Sequence, residues 1–328
     1  MLFLNRDEVE SLLDLDRIIE SLAPAMIELS KGSLSMPARG IVEIQERRGL
    51  LATMPVYLNS SKILSTKLVS VYPDNESRGL PSHQAVVLVF DSATGTPLAL
   101  MDGTSITAAR TAAGSALATR ILARPEAQIL ALLGTGVQAR SHIRAIMRVR
   151  KVREIRVWGR NAEKAAALAQ DISREHGIHA LGLASLRETL LGAEIICATT
   201  HSADPVVLGK YLEAGVHVNS VGLNSLGREI DEAAVLKALV VVESRDAALA
   251  PPPSGANDLT WPIQKGAMTR KHIHAELGEI LSGARPGRTS PEQITLYKSV
   301  GVAVQDAVAA QLVLDAARQQ NIGREIDI

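Results

Sequence analysis

The stretch "QILALLGTGVQARSH", Gln128 to His142, brings two glycines directly after a run of apolar residues. The apolar residues 129–133 predict a buried strand, and the residues from 137 to about 148 have the periodicity of a helix. Between them, residues 134–139 read GTGVQA and match the pattern G-x-G-x-x-G/A. Within a strand–turn–helix this pattern is typical of dinucleotide sites, because glycines permit the tight turn and let backbone N–H groups approach a pyrophosphate. A turn with only a structural role is the alternative interpretation.

The composition is that of an electrically neutral protein with an aliphatic core. Hydrophobic residues make up 46% of the 328 residues, whereas Phe, Trp and Tyr together make up only 2%. Such a core is expected of buried parallel strands and close-packed helices. The 35 basic and 35 acidic side chains cancel, so the net charge favours neither nucleic acid nor a membrane surface as partner. The length predicts two domains.

The cysteine content and the N-terminus bear on the compartment. Cys197, the single cysteine, lies in the apolar run "EIICATT", and we interpret it as a buried structural thiol. Acidic residues begin at position seven of the N-terminus, which argues against a signal peptide. No run approaches the roughly 18 apolar residues of a membrane helix. We therefore expect a cytoplasmic protein.

Two kinds of sequence pattern divide the chain. Up to about residue 102, short β-type runs separated by Gly, Pro, Asn and Ser predict an antiparallel or mixed sheet. From Ile129 strands and helical segments alternate, which predicts βαβ units in a parallel sheet that runs to roughly Glu243. Three later segments are assigned by pattern as a helix and turn at 274–287, a strand at 294–299 and a long amphipathic helix at 302–320.

Between these two patterns, residues 105–124 predict a helix that is rich in small residues. Its alanines need no explanation beyond close packing. Arg110, however, stands near the predicted start of the helix, where the helix macrodipole disfavours a cation. We therefore expect an anion to share the surroundings of Arg110.

Six segments have a further feature in common. They read "MPVYL", "STKLVSVYP", "SHQAVVLVFDSATGTPLALMDGTSITAARTAAGSALA", "GTGVQA", "VNSVGLNSLGREID" and "LYKSVGVAVQDAVAA". In composition and order they resemble the ornithine cyclodeaminase/mu-crystallin family, over nearly the whole chain.

The resemblance implies an α/β protein with two domains and an active site in the cleft between them. Residues 119–299 would form a Rossmann domain with a doubly wound parallel sheet that binds NAD(P). Residues 1–118, completed by the C-terminal helix within 300–328, would form an α+β domain for substrate binding and homodimerisation. The edges and apolar face of an antiparallel sheet also favour a dimer. We expect small-molecule imino or amino acids as substrates, and no metal.

The nucleotide contacts follow from the glycine loop and from the resemblance. We expect them at Thr111, Gly134, Thr135, Gly136, Val137, Gln138, Arg160, Asn161, Thr199, Thr200 and Val221. NAD enzymes carry an acid after the second Rossmann strand for the ribose 2′-OH, whereas a nearby arginine accommodates a 2′-phosphate. Here residues 159–161 read GRN. We therefore expect NADP(H) to be preferred, with NAD(H) possible and a solvated Arg160 as the alternative.

Three cations match family positions that hold the substrate α-carboxylate. They are Arg39, Lys67 and Arg110, of which an arginine can orient a carboxylate by two hydrogen bonds. Lys67 lies in an alternating apolar strand, so it points either to solvent or into the site. Met54 and Arg228 are expected to line the substrate pocket.

Two departures from the cyclodeaminase pattern bear on the reaction. In that branch a glutamate stands two residues before "MP", where this chain has Ala52, and an aspartate stands two residues after "VG", where it has Asn224. An amide cannot take a proton as a carboxylate does, and ornithine cyclisation needs a general base. The departures favour an NAD(P)H-dependent reductase of ketimines such as pyrroline-2-carboxylate.

Three other readings stay open: an ornithine cyclodeaminase, an amino-acid dehydrogenase, and a nucleotide- and ligand-binding protein with little turnover. Lys67 and Arg110 argue for amino-acid-like substrates and against the last of these. His83 is a candidate proton donor because its charge changes near neutral pH, although a strand-end histidine bonded to backbone fits equally well. The expected catalytic residues are thus Lys67, Arg110, Asn224 and His83.

Overall fold

The computed structural model describes residues 1–327. The chain divides into two compact units: the first is Met1–Arg110 together with the chain from Val302, and the second is Thr111–Gly301. The division falls inside one helix, eight residues before the boundary expected after residue 118.

The strands and α-helices of the described chain have the following bounds. The strands are β1 (Leu2–Leu4), β2 (Gly40–Ile44), β3 (Gly49–Leu58), β4 (Ile63–Val71), β5 (His83–Phe90), β6 (Pro97–Asp102), β7 (Ile129–Leu133), β8 (Glu154–Trp158), β9 (His179–Gly182), β10 (Ile195–Ala198), β11 (His217–Ser220), β12 (Leu239–Val242), β13 (Ile273–Glu276), β14 (Thr295–Lys298) and β15 (Arg324–Glu325). The α-helices are α1 (Arg6–Leu12), α2 (Leu15–Ser30), α3 (Gly103–Leu122), α4 (Val137–Val149), α5 (Ala162–His176), α6 (Leu186–Leu190), α7 (Glu232–Lys237), α8 (Arg245–Ala248), α9 (Asn257–Gln264), α10 (Leu277–Leu281) and α11 (Ala303–Gln320).

The first unit contains a mixed sheet of seven strands in the order β15-β1-β6-β5-β4-β3-β2. Its pairs are antiparallel except for β1 with β6, which run parallel. The hairpin between β5 and β6 turns at Asp91, whose carboxylate accepts the N–H groups of Ala93 and Thr94. The mixed sheet expected from the short β-type runs is therefore present.

One face of this sheet is buried and the other is partly open. Along β3 and β4, buried and less buried residues alternate, as a period of two requires. Helix α11 packs against β3, β4 and β5, and also against α2. Met54 and Lys67 are directly opposite each other on β3 and β4, and both are buried.

The second unit contains eight parallel strands in the order β13-β12-β14-β11-β10-β7-β8-β9. The chain starts in the middle at β7, moves outward through β8 and β9, and then returns to β10 beside β7. This reversal is the topological switch point at which open α/β sheets bind their ligands. The expected fold class, a Rossmann sheet with a separate α+β part, is confirmed.

Two expectations for the later part of this unit are wrong. The sheet does not end near Glu243, because β14 lies between β11 and β12 and β13 extends the edge beyond β12. Residues 273–276 are the strand β13, and only 277–281 of the predicted 274–287 segment are helical. Ile273 and Ala275 alternate with less buried residues, but two residues are too few to reveal this period in the sequence.

Within the described residues, no helix is both long enough and apolar enough to cross a membrane.

Candidate active site

Two basic side chains and one acid meet in the interior of the first unit. Asp306 Oδ1 accepts hydrogen bonds from Lys67 Nζ and from Arg110 Nε, each at 2.9 Å. Arg110 Nη1 also donates to Gln305 Oε1 at 2.9 Å. Lys67 and Asp306 are each 2% exposed and Arg110 is 5% exposed. We call Lys67, Arg110 and Asp306 the cation cluster.

Local structure explains why these three side chains converge. Lys67 is one of the inward-facing residues in the alternating pattern of β4, so its side chain points into the interior and not to solvent. Arg110 stands on α3 among small, buried alanines. Asp306 lies in the first turn of α11, where the macrodipole favours an acid. The anion that the position of Arg110 led us to expect is therefore Asp306.

The cluster holds more positive than negative charge. Burial lowers the pKa of Lys67 to about 8, with Arg110 and Arg39 adding to the decrease and Asp306 opposing it. Burial by itself would raise the pKa of Asp306, but Arg110 and Lys67 outweigh it and hold that pKa below its ordinary value. Two cations share one carboxylate, and this excess suits a further anionic group such as a substrate carboxylate.

The other expected substrate residues of the first unit lie at different distances from Lys67. Met54 is its cross-strand neighbour. Arg39 is half-buried just before β2, and its charge contributes to the pKa of Lys67. His83 opens β5 opposite Val71, four residues along β4 from Lys67, or about 13 Å at 3.3 Å per residue.

In the second unit the glycine loop follows β7. Gly134 has φ +115°, and its N–H donates to the Trp158 carbonyl at 2.8 Å. A Cβ at this position would lie 2.6 Å from Thr199 Oγ1 and 2.9 Å from its carbonyl oxygen. Only glycine fits there, and its absence of a side chain brings together the loops after β7 and β10.

Gly136 is different, because a Cβ there would meet no atom within 4 Å. It is the N-cap of α4 and offers no side chain to the N–H groups of the first turn. Open space in front of uncapped N–H groups is what a pyrophosphate needs. The residues of this loop therefore fit a dinucleotide.

The other residues expected to contact the nucleotide differ in exposure. Val137 is exposed, Thr135 and Gln138 are half-buried, and Thr111 is buried on α3. After β8, Arg160 is exposed, and Asn161 is the N-cap of α5, accepting from Lys164 N–H at 2.8 Å.

A buried glutamate connects the loops that follow β10 and β11. Glu229 Oε1 accepts from the N–H and the hydroxyl of Thr200, at 2.6 and 2.8 Å. Its Oε2 accepts from Ser220 Oγ and from the Gly222 N–H, at 2.6 and 2.9 Å. All four partners are donors, so Glu229 is a carboxylate that holds the two loops at one spacing. Thr200 and the segment beside Val221 are thereby positioned together.

Lys298, at the end of β14, completes this network. It is 0% exposed, and its Nζ donates to Ser220 Oγ, the Gly222 carbonyl and Asp258 Oδ2 at 3.0, 2.6 and 3.0 Å. Asp258 Oδ1 in turn accepts from the N–H of Glu229. Every ionised group here has hydrogen-bonding partners, as burial requires.

Asn224 lies in the loop after β11, and its amide connects that loop to the loop after β10. Its Nδ2 donates to the His201 carbonyl at 3.0 Å, and its Oδ1 accepts from the Leu226 N–H at 2.9 Å. Arg228, from the same loop, stacks its guanidinium over the Trp261 ring at 5.9 Å. The structure thus gives Asn224 a role in loop shape.

Sequence reasoning missed Asp306, Glu229 and Lys298. Each left a weak signal: a charged residue in an alanine- and valine-rich helix for Asp306, a lysine ending an apolar strand for Lys298, and an acid beside an arginine in "GREID" for Glu229. Among residues 1–327, no group of three or more His, Cys, Asp or Glu side chains is arranged to hold a metal ion.

Comparisons with known proteins identify relatives over nearly the whole chain. The model of the ornithine cyclodeaminase/mu-crystallin family matches residues 1–321. A ketimine reductase mu-crystallin from Rattus norvegicus is 38% identical over 319 residues, which cover 96% of each chain.

Two solved structures are similar over essentially their full length. One is Thermococcus litoralis Delta(1)-pyrroline-2-carboxylate reductase in complex with NADH and L-proline, with a TM-score of 0.95, 39% identity and coverage of 99% of this chain and 100% of that one. The other is an archaeal alanine dehydrogenase dimer with bound NAD, with a TM-score of 0.93, 30% identity and coverage of 100% and 99%. The chain therefore belongs to the ornithine cyclodeaminase/mu-crystallin family.

Proposed function

We propose that this protein reduces the C=N bond of small ketimine carboxylates, of the pyrroline-2-carboxylate type, with NADPH as the preferred reductant. The observation that carries the proposal is the cation cluster, a buried excess of positive charge in which Lys67 and Arg110 share Asp306. Two relatives support it: a ketimine reductase, and a pyrroline-2-carboxylate reductase solved with NADH and L-proline, the product of reducing that imine.

The chemistry asks the chain for orientation and for one proton. The bound nicotinamide supplies a hydride for the imine carbon, and the imine nitrogen takes a proton unless it is already an iminium. Arg110 and Lys67 would hold the substrate carboxylate, which orients the C=N carbon for the hydride. Lys67, with a pKa of about 8, is also a better acid at neutral pH than an ordinary lysine. His83 is the second candidate for the proton donor.

Ornithine cyclisation fits this site less well. Ala52 is buried on the face of β3 that also carries Met54, so the position that holds a glutamate in cyclodeaminases has no carboxylate. Asn224 offers an amide whose two ends are already bonded, one to the loop after β10 and the other to its own loop. Neither residue can accept a proton from a substrate ammonium group.

A paired assay tests this proposal. NADPH oxidation should follow addition of pyrroline-2-carboxylate, and no ammonia should be released from ornithine. Ammonia release at ordinary enzymatic rates would instead establish a cyclodeaminase. Tight NADPH binding with neither reaction would point to a ligand-binding protein, and oxidation of alanine with NAD to an amino-acid dehydrogenase.

The preference for NADP(H) over NAD(H) is part of the proposal. After β8 the chain has Gly159, Arg160 and Asn161, with no carboxylate for a ribose 2′-OH. Arg160 is exposed, and its own turn holds no acid that would compete with a 2′-phosphate for the guanidinium. Equal or tighter binding of NADH in a titration would contradict the preference.

We further propose a homodimer formed through the open face of the first sheet, in the cytoplasm, where the single buried Cys197 would stay reduced. Val42 and Leu51 are cross-strand neighbours on this face and are 63% and 43% exposed, and Val86 on β5 is 39% exposed. Apolar residues that share one open sheet face are typical of an interface. The archaeal alanine dehydrogenase relative is described as a dimer.

A further inference from the structure

Gly159 is the first residue after β8. Its backbone conformation would accept other residues, but a neighbouring side chain leaves no room for a Cβ. Its φ does not fall in the left-handed region that favours glycine. A Cβ built there would lie 2.9 Å from the Thr135 Cγ2 methyl group, and the next atoms, Asn161 O and Thr135 Oγ1, are both 3.8 Å away. The Thr135 methyl group is therefore the one close contact that prevents a side chain at position 159.

The position matters because of where it lies in the fold. β8 is the second strand of the Rossmann sheet, next to β7 on the side away from β10. The residue after this strand is where NAD enzymes carry the acid that receives the ribose 2′-OH. Here Asn161 uses its side-chain oxygen to cap α5, and Arg160 is exposed. No residue from 159 to 162 is acidic.

Thr135 belongs to the glycine loop. A residue of the loop expected to hold the pyrophosphate therefore determines whether a side chain fits at position 159, at the ribose end of the site. We propose that Thr135 is a specificity-determining residue that acts through Gly159. Its methyl group excludes a side chain, and hence a carboxylate, from position 159 and so keeps the ribose end of the site open to a 2′-phosphate. This inference rests on the proposed preference for NADPH, whose basis it deepens.

The substitution Thr135→Ser removes the methyl group and keeps the hydroxyl, which makes it the matched background for a test. Gly159→Asp is made in the wild type and in the Thr135→Ser variant, and the Kd values of NADH and NADPH are measured by nucleotide fluorescence without substrate. The Kd values of Thr135→Ser alone are measured as the reference for its own background, as the wild-type values are for theirs. Relative to its own background, Gly159→Asp should bind NADH about tenfold more tightly in Thr135→Ser than in the wild type, the value of one hydrogen bond to a charged group. NADPH should bind weakly to Gly159→Asp in both backgrounds.

Two further variants separate the steric effect from charge and from folding. Ala162→Asp adds a carboxylate at the exposed start of α5, three residues after Gly159, so its effect on NADH affinity, taken relative to each background, should be the same in both. Gly159→Ala adds only the Cβ, and it should lower the melting temperature in the wild-type background but not in the Thr135→Ser background.

Each outcome has a distinct meaning. Equal effects of Gly159→Asp on NADH affinity in both backgrounds, or equal effects of Gly159→Ala on the melting temperature in both, would overturn the role of Thr135. Wild-type protein that binds NADH as tightly as NADPH would overturn the proposed cofactor preference instead. The coupling between positions 135 and 159 would still be read from the same set of variants.

Discussion

At the scale of single residues, Lys67 links substrate affinity to pH. Burial lowers its pKa to about 8, so the side chain is charged below that pH and loses its charge above it. If Lys67 faces the substrate carboxylate, the KM for a ketimine carboxylate should rise above about pH 8, approaching tenfold per pH unit. The KM measured from about pH 6 to about pH 10 checks this.

Lys67→Arg supplies the matched control for this dependence, because a guanidinium keeps its charge across the whole range. Any dependence that comes from titration of the substrate imine stays in the variant, and the part due to Lys67 disappears. If the wild type and the variant follow the same pH profile, Lys67 is not the titrating group.

Substitutions of a second single residue, Asn224, distinguish a reductase from a cyclodeaminase. Asn224→Ala removes the bonds to the His201 carbonyl and the Leu226 N–H, and we expect kcat/KM to fall about 10- to 100-fold, as for neutral hydrogen bonds. Asn224→Asp would set a carboxylate oxygen against the His201 carbonyl, so this change alone should lower reductase activity without creating ammonia release from ornithine. Unchanged kcat/KM in Asn224→Ala would remove this residue from the active site.

At the scale of elements, helix α3 ends in a set of arginine hydrogen bonds. Arg150 Nη2 donates to the carbonyls of Thr119 and Ala123 at 2.8 and 2.9 Å, and its Nε donates to the carbonyl of Arg124 at 3.0 Å. A cation at this end also complements the helix macrodipole. The Thr119 and Arg124 carbonyls also accept the N–H groups of Ala123 and Ala127, so the arginine adds charged donors to a helix end that is already partly bonded.

Arg150→Met should therefore lower the free energy of unfolding by about 2–4 kcal/mol, since several charge-assisted hydrogen bonds are lost together. Arg144→Met, on the exposed side of helix α4, which ends one residue before Arg150, should change it by less than about 0.5 kcal/mol. Denaturant unfolding of the two variants provides the comparison, and equal stabilities would show that the arginine contributes little to this helix end.

The elements also show which parts of the fold a sequence can reveal. Strands β2 to β6 and the β7–α4 turn were predictable because alternation, turn residues and glycine spacing are local signals. The insertion of β14 between β11 and β12 was not, because pairing between distant strands leaves no local pattern.

The same limit applies to the candidate site. Lys67 and Arg110 were predicted from the family resemblance of their segments, and the anion beside Arg110 from its place near the helix start. Asp306 lies 239 residues from Lys67 in the chain, and only the packing of α11 on β4 brings its carboxylate to the lysine. Glu229 and Lys298 likewise gain their roles from loops and strands that are adjacent only in the folded sheet.

At the scale of the whole molecule, the remaining question is how the open face of the first sheet is covered. Leu51 stands near the middle of the exposed apolar residues, between Val42 on β2 and Ser70 on β4. An exposed apolar patch of this kind on a sheet is more often an interface than a surface left in water.

We expect sedimentation at micromolar concentration to give twice the chain mass of 34.9 kDa. Leu51→Arg should shift the protein towards a monomer, because a dimer through this face would have to bury two unpaired guanidinium groups. Leu191→Arg is the matched control: Leu191 is 56% exposed and belongs to the second unit, so the dimer should persist. A wild-type monomer would exclude the proposed assembly, and a dimer that survives Leu51→Arg would move the interface to another surface.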